Sequence, residues 1–403
     1  MNDDLCGPMR ILLFILFFSF FTTGVRSQCA TTINSFPYTE GFETTNGGWV
    51  SGGAGNDWAW GSPSKPVIAA AGEGSKCWVV GGLTTGPYTD GASSWLKSPC
   101  FNFSGLSYPY ISFRVLWEME QRFDGASFQY SIDNGASWTN VGASSDASNC
   151  LNANWFNYSP INYLSLLTVK DGWSGNKEPS SGSCRGGNGS NGWVVAKHTM
   201  PYLAGKSSVM FRFVFGAGTI CNNYDGFAVD DIQIGEAPAN SAAFTYTCNT
   251  STKVNFTNSS ALCPTVFAWD FDDPASGANN TSSLPSPAHD FSGPGTYSVK
   301  LTVSGPGNAH STITKDITIL GLSVLQLSPA DCQTNRGGSL SVTVTGGVGP
   351  FNYKWNSVPA QSAPIASDLG VGNYLVTVSG NNTCTNSAQG DILPDASCTD
   401  VYF

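Results

Sequence analysis

Short runs of alternating apolar and polar residues, separated by turns rich in glycine and asparagine, dominate this sequence. Residues 128–132 alternate, Asn134-Gly135 supplies a turn, and residues 137–141 alternate again, which predicts a β-hairpin. No apolar face with a 3.6-residue period extends over twelve residues or more. The pattern therefore predicts an all-β chain of sandwiches or barrels, with further strands at 209–215, 297–303, 339–344 and 374–378.

Length and charge limit the number of domains and the classes of protein that this chain can belong to. The 403 residues suffice for two to four domains, and changes in composition place boundaries near 235–241 and 320–322. Only 11% of the residues are charged and the net charge is −10, which argues against a nucleic-acid binder and a coiled coil. The predicted domains are residues 28–236, 240–319 and 320–394.

The N-terminus and the cysteines predict export. Arg10 precedes an apolar run at 11–21, which has the length of a signal-peptide core, so residues 1–27 are predicted to be removed before Gln28. Twelve cysteines occur without metal-type C-x(2–4)-C spacing, so disulfides are expected in a secreted or outer-surface protein. Eleven remain after cleavage, which leaves one free or paired outside the chain.

The middle segment resembles a PKD domain. The resemblance is carried by Trp269-Asp270-Phe271, by residues 287–291 and by the run that begins at Pro294-Gly295. It implies an Ig-like β-sandwich, although Asp272-Asp273-Pro274 replaces the usual Gly-Asp-Gly. Cys248 and Cys263 flank one strand of this PKD-like segment and are expected to pair.

The third segment resembles the SprB-type repeat of surface adhesins from gliding bacteria. Matching runs lie at 342–347, 350–355 and 372–378. The resemblance implies a second small Ig-like sandwich, with Cys332 and Cys384 bracketing the repeat and expected to pair.

Both ends of the chain carry weaker resemblances. Residues 36–43, Asp124-Gly125 and 225–232 are similar to MAM-like jelly rolls, which implies a two-sheet head domain. Residues 398–403 resemble the lead-in to a gliding-motility-associated C-terminal domain. That likeness implies that residues 395–403 begin a missing domain that holds a partner for Cys398, with export by the type IX machinery.

Calcium is the favoured cofactor on chemical grounds, because carboxylates from distant strands can converge where the ends of a sandwich meet. The predicted structural site consists of Glu43, Asp124 and Asp230, with Glu40 and Asp231 as further candidates. Asp230 is preferred over Asp231 since neighbouring strand residues point to opposite faces. Solvated edge positions are the alternative.

Two tryptophans, Trp58 and Trp60, are candidate ligand contacts, because exposed indoles stack on sugars; burial in a tryptophan-rich core is the alternative. Catalytic motifs such as H-E-x-x-H and G-x-S-x-G are absent from the sequence, and His198 is interpreted as structural.

These features predict a non-catalytic adhesion or binding protein of the cell surface, with an extracellular glycan or protein as ligand. Two alternatives remain. The chain could be the accessory region of a truncated secreted protease or glycosidase, or a eukaryotic receptor ectodomain.

Overall fold

The computed structural model describes residues 31–306, 310–381 and 383–398. Nearly every element in them is a β-strand, which confirms the all-β prediction of a jelly-roll sandwich followed by two Ig-like sandwiches. The predicted signal peptide and residues 399–403 lie outside the described residues. No helix in the described part is long and apolar enough to cross a bilayer.

The head, residues 31–236, is a sandwich of two six-stranded sheets. Sheet A has the order β1-β6-β11-β8-β9, with β3 also on β6; sheet B has the order β10-β7-β12-β5-β4, with β2 also on β12. The strands are β1 (Thr32–Ile33), β2 (Tyr38–Glu40), β3 (Val50–Ala54), β4 (Ala59–Gly61), β5 (Cys77–Val79), β6 (Ser93–Phe101), β7 (Pro109–Glu118), β8 (Gly125–Ser131), β9 (Thr139–Asn140), β10 (Val194–Thr199), β11 (Val209–Gly216) and β12 (Gly226–Glu236), and a 3-10 helix spans Pro201–Leu203.

Alternation along the strands builds the head's core. In β6 every second residue is buried, as a half-buried strand requires. Inward-facing aromatic rings meet between the sheets, and Phe113, Phe128 and Phe213 have ring centroids within 5.5 Å of one another. The predicted hairpin is confirmed, because β8 and β9 pair in antiparallel register.

The middle domain, residues 240–319, packs a three-stranded sheet of order β13-β14-β17 against a five-stranded sheet of order β16-β15-β18-β19-β25. Trp269 and Phe271 lie in its core, as the predicted inward alternation requires. The elements are β13 (Phe244–Cys248), β14 (Lys253–Asn258), β15 (Val266–Asp270), a 3-10 helix (Pro274–Asn280), β16 (Thr281–Ser282), β17 (Ala288–Asp290), β18 (Gly295–Ser304) and β19 (Ser311–Ile319).

The third domain, residues 320–398, has two three-stranded sheets of order β20-β21-β23 and β22-β24-β26. A single residue, Leu320, separates β19 from β20. One short strand, β25, leaves the third domain and pairs in parallel with β19 of the middle domain. The strands are β20 (Gly321–Ser328), β21 (Gly338–Thr345), β22 (Phe351–Trp355), β23 (Ile365–Leu369), β24 (Gly372–Gly380), β25 (Thr383–Cys384) and β26 (Asn386–Ile392).

The predicted pair Cys248–Cys263 is wrong. Cys248 pairs instead with Cys384, and Cys263 pairs with Cys150 of the head. The reason is the register of the β13–β14 hairpin, in which Cys248 lies opposite Val254 while Ala261 bridges back to Ser241. The two cysteines therefore lie at opposite ends of the hairpin, roughly 20 Å apart at about 3.4 Å per residue, well beyond the reach of a disulfide.

The predicted pair Cys332–Cys384 is wrong for the same reason. Strand β26 lies between them, with Cys384 just before it and Pro394, which bridges to Ala330, just after it. Cys332 forms its disulfide with Cys398, so Cys398 has its partner within the chain and needs none from a missing domain. Cys100 is also disulfide-bonded, and Cys184 pairs with Cys221. Among the described residues Cys77 is the free thiol, and it is buried.

Candidate functional site

The three predicted calcium ligands do not converge. Glu43 accepts hydrogen bonds from the backbone amides of Ser75 and Lys76, at 2.9 and 3.0 Å. These hydrogen bonds lower the pKa of Glu43, and the bond from Lys76 has the largest effect. Asp230 is fully buried and accepts the amides of Glu73 and Asp231, but the bulge after it places it on the opposite face from Ile232. Burial raises the pKa of Asp230 to about 6.

Asp124 has a different set of partners. It is fully buried, and its carboxylate accepts the Tyr88 hydroxyl at 2.6 Å and the Gly218 amide at 2.7 Å. Burial raises the pKa of Asp124 to about 7. Glu40 accepts the Phe42 amide, and Asp231 faces Arg114 at 3.7 Å.

Only one trio of His, Cys, Asp or Glu within the described residues has its ligand atoms within 4.8 Å of one another. It consists of Glu120, Cys184 and Cys221, and both sulfurs are committed to a disulfide. The predicted set of Glu43, Asp124 and Asp230 is thus not assembled. Calcium binding stays a prediction, which the effect of EDTA on the melting temperature would check.

The two predicted ligand-binding tryptophans are not exposed platforms. Trp58 is 6% exposed and packs edge-on against Phe227 in the core. Trp60 is half-buried, donates its indole N–H to the Phe42 carbonyl at 2.8 Å, and has the Lys76 ammonium 5.1 Å from its ring centroid. Burial in the core, the alternative interpretation, describes Trp58.

Two of the three histidines, His198 and His289, are held in structural contacts, and His310 is exposed. His198 contacts Asp146 at 3.1 Å and packs on Trp155. In the middle domain, Asp273 contacts His289 at 3.0 Å and also accepts the amide and hydroxyl of Ser292. The serine hydroxyl donates to the aspartate and not to the histidine, so this trio lacks the serine–histidine hydrogen bond of a hydrolytic triad.

A groove of about 450 Å³ crosses the outer face of sheet B. Its centre is a row of three residues in direct cross-strand register, Lys197 on β10, Ser112 on β7 and Gln233 on β12. The next row places Tyr110 opposite Gly235, where the missing side chain leaves open space beside the tyrosine. Pro37, Val195, Asp231 and Glu236 also line the groove.

A β-bulge shapes one wall of this groove. The register of β12 against β7 shifts between Asp230 and Gln233, and Asp231 has a φ of +47°. Bulges bend a strand and redirect its side chains. Here Asp230, opposite Arg114 on β7, is buried beneath the backbone of Glu73, and the carboxylate of Asp231 faces Arg114.

The groove supplies a mixed set of polar groups. Lys197 is a half-buried cation, Gln233 is exposed, and burial raises the pKa of Tyr110. Sequence reasoning did not nominate these residues. The alternation in β7 and β10 could have placed them outward, but their convergence depends on the strand order β10-β7-β12, which no local pattern contains.

Two joints connect the domains covalently. The Cys150–Cys263 disulfide, with a Cα–Cα distance of 6.0 Å, links the head to the middle domain. The Cys248–Cys384 disulfide, at 5.5 Å, links the middle domain to the third. At the second joint, Thr318 and Ile319 also pair with Thr383 and Cys384, so this contact is a continuous sheet.

Comparison with known families finds a match in each of the two small domains. Residues 236–319 match the PKD domain family and residues 325–360 match the SprB repeat family. A stretch of 88 residues, 22% of this chain, is 36% identical to bacillopeptidase F of Bacillus subtilis (strain 168), of which it spans 6%.

Solved structures give three further likenesses. The PKD1 domain of Vibrio anguillarum Epp is 27% identical over 20% of this chain and 94% of its own, with a TM-score of 0.18. The K1 and K3 cleaved adhesin domains of Lys-gingipain from Porphyromonas gingivalis W83 are 16% and 17% identical. They cover 51% and 50% of this chain, and 100% and 98% of their own, with TM-scores of 0.27 and 0.28. The PKD and SprB matches together support a multi-domain surface protein built from binding or accessory modules.

Proposed function

We propose that the head binds an extracellular saccharide in the groove of sheet B, and that the middle and third domains hold the head away from its point of attachment. The observation that carries this proposal is the row Lys197–Ser112–Gln233 beside Tyr110, in a groove left open by Gly235. A saccharide-binding head that two small domains hold away from the attachment point would serve in adhesion at the cell surface.

The chemistry of the groove suits a sugar. A pyranose presents hydroxyl groups around its rim and C–H groups on its faces. Ser112 and Gln233 both donate and accept hydrogen bonds, Lys197 donates, and an aromatic ring such as that of Tyr110 offers an apolar surface with a polar end. Ligand sites typically combine an apolar wall with a few convergent polar groups.

The test is a glycan array probed with residues 31–398, followed by titration calorimetry on the best ligand. Gly235→Leu is the blocking variant, because a Cβ at this position would meet Pro37 at 3.4 Å, which is ordinary contact. We expect Gly235→Leu and Tyr110→Ala each to weaken binding at least ~10-fold, about 1.4 kcal/mol.

Tyr163→Ala serves as the matched control, since Tyr163 is a surface tyrosine, 44% exposed, that does not line the groove. It should bind like the unmodified protein. Binding that survives both groove variants would move the site elsewhere on the head. If no glycan on the array binds, but a purified extracellular protein binds the head and Gly235→Leu blocks that binding, the ligand is a protein and not a sugar.

Localisation at the outer surface, export by the type IX route and a link to gliding motility belong to the same proposal. Labelling of intact producing cells with an antibody against the head tests the first of these. A second candidate function is that of an accessory region beside a secreted hydrolase, favoured by the 88-residue match to bacillopeptidase F. A catalytic domain encoded in the same reading frame after Phe403 would support it.

A further inference from the structure

The two disulfides at the joints connect strands end to end. Cys248 and Cys263 lie before and after β14, and Cys384 and Cys398 lie before and after β26. Cys263 is bonded to Cys150 of the head, and Cys248 is bonded to Cys384. A covalent line therefore runs from the head through β14, crosses to the third domain, and continues through β26 to residue 398.

We propose that this line makes the chain a mechanical tether, in which tension between the head and residue 398 bypasses most of the two small sandwiches. The line contains about 29 residues, with a greatest length of about 100 Å at roughly 3.6 Å per residue. The uninterrupted backbone between positions 150 and 398 would reach about 890 Å. Residues 264–383 are thus excluded from the loaded path.

The line also has little slack. Strands already rise about 3.4 Å per residue, close to the limit of an extended chain. Both loaded strands are held laterally by antiparallel ladders, β14 by β13 and β17, and β26 by β24. Tension along such a strand loads its ladder hydrogen bonds together and not one after another.

The second joint is reinforced without covalent bonds. Asn386, the first residue of β26, donates its side-chain amide at 2.7 Å to the carbonyl of Leu320, the residue that connects β19 to β20. Thr296 of the middle domain donates to the Gly346 carbonyl of the third domain at 3.3 Å. These contacts fix the two small domains relative to each other, so the disulfide between them does not act alone.

Single-molecule force spectroscopy on the whole chain tests the proposal under oxidising conditions, with one handle at the exposed Ser148 of the head and the other at the C-terminal end, so that the head before Ser148 is not loaded. Removal of the second joint by Cys248→Ser/Cys384→Ser reroutes tension from Cys263 to Cys332 and on to Cys398, and should lengthen the extended protein by about 140 Å. Removal of the first joint by Cys150→Ser/Cys263→Ser should lengthen it by about 170 Å.

Cys184→Ser/Cys221→Ser is the matched control. This disulfide lies within the head but off the loaded path, so its removal should leave the extended length unchanged. The unmodified protein provides a second readout that needs no substitution. It should show no release step near 250 Å, roughly the length that an unconstrained domain of this size would give.

Steps of that size in the oxidised, unmodified protein, or equal lengths for both joint variants and the unmodified protein, would overturn the proposal. The measurement requires no ligand, so the tether and the saccharide site can fail independently.

Discussion

Asp273 is the residue that most tightly organises the middle domain. Its carboxylate is 1% exposed and accepts hydrogen bonds from the amide and hydroxyl of Ser292, in addition to its contact with His289. The His289 ring stacks on Phe271 at 4.2 Å. Asp273 stands at the position of the aspartate in the usual Gly-Asp-Gly, so this structural function belongs to the residue that the loop keeps and not to the departures at residues 272 and 274.

Asp273→Asn should destabilise the chain by about 2–3 kcal/mol at pH 7, because an amide turns an N–H group towards buried donors. Burial opposes ionisation, but Ser292 and His289 outweigh it and lower the pKa of Asp273 below 3.8. A lowered pKa gives stability that is present above pH 3.8 and is lost as the pH falls through the folded value. The deficit should therefore shrink below about pH 4.

Urea unfolding across this pH range measures the effect of Asp273→Asn. The exposed neighbour Asp290, replaced in Asp290→Asn, is the control and should change stability little. A deficit of the same size at pH 3 and pH 7 would contradict the ionised-carboxylate explanation.

Asp124 in the head has the opposite pH dependence. Burial raises its pKa from 3.8 to about 7, although Tyr88 and Gly218 donate to it. A raised pKa gives stability that is complete below about pH 4 and is lost as the pH rises through 7. Asp124→Asn should therefore raise the melting temperature of the head at pH 8 and leave it nearly unchanged at pH 4.5, as calorimetry would record. A lower melting temperature at pH 8 would show that the charged form is needed there, as a bound cation would require.

Strand β20 has little protection against pairing with another chain at its free edge. It is an edge strand of eight residues without a charged side chain, and Leu325 and Leu327 on it are 64% and 53% exposed. Edge strands are usually guarded by lysine, proline or a covering segment. Ile365 continues the apolar row across Ser341 of β21.

Leu325→Lys should slow aggregation of residues 31–398 on warming without lowering the melting temperature, because the side chain points to solvent and the charge disfavours edge pairing. Light scattering at constant temperature measures the first effect and circular dichroism the second. Thr343→Lys, a charge added on the neighbouring, internal strand β21, is the control. Equal protection by both variants would attribute the effect to net charge and not to the edge.

Strands and hairpins were predictable where the sequence pattern that specifies them is local. The alternation of residues 128–141 with Asn134-Gly135 between the halves predicts the β8–β9 hairpin, and the inward positions of Trp269 and Phe271 follow from the same period. The groove is different, since Lys197, Ser112 and Gln233 come from strands far apart in sequence. Trp58 remained open between a sugar platform and the core, because composition alone does not reveal which indoles face inward.

Covalent connection between domains is the property of the whole molecule that sequence reasoning missed. Each predicted cysteine pair lay within one domain, because nearness in sequence was taken as nearness in space. The parallel pairing of β25 with β19 instead brings Cys384 to the middle domain, beside Cys248. Only the three-dimensional arrangement of the sandwiches reveals such contacts.

The Cys248–Cys384 disulfide should make the two small domains unfold as one unit. It spans 136 residues, and a loop of that size corresponds to about 4–5 kcal/mol of lost chain entropy in the unfolded state. Cys248→Ser/Cys384→Ser should therefore split one calorimetric transition into two and lower the first. Since β19 and β25 remain paired, the split should widen in urea, which weakens the contact that is left.

The control is Cys332→Ser/Cys398→Ser, which removes a disulfide within the third domain. This change should lower the shared transition without dividing it, and a divided transition in that variant would mean that the third domain's own stability, and not the joint, sets the cooperativity.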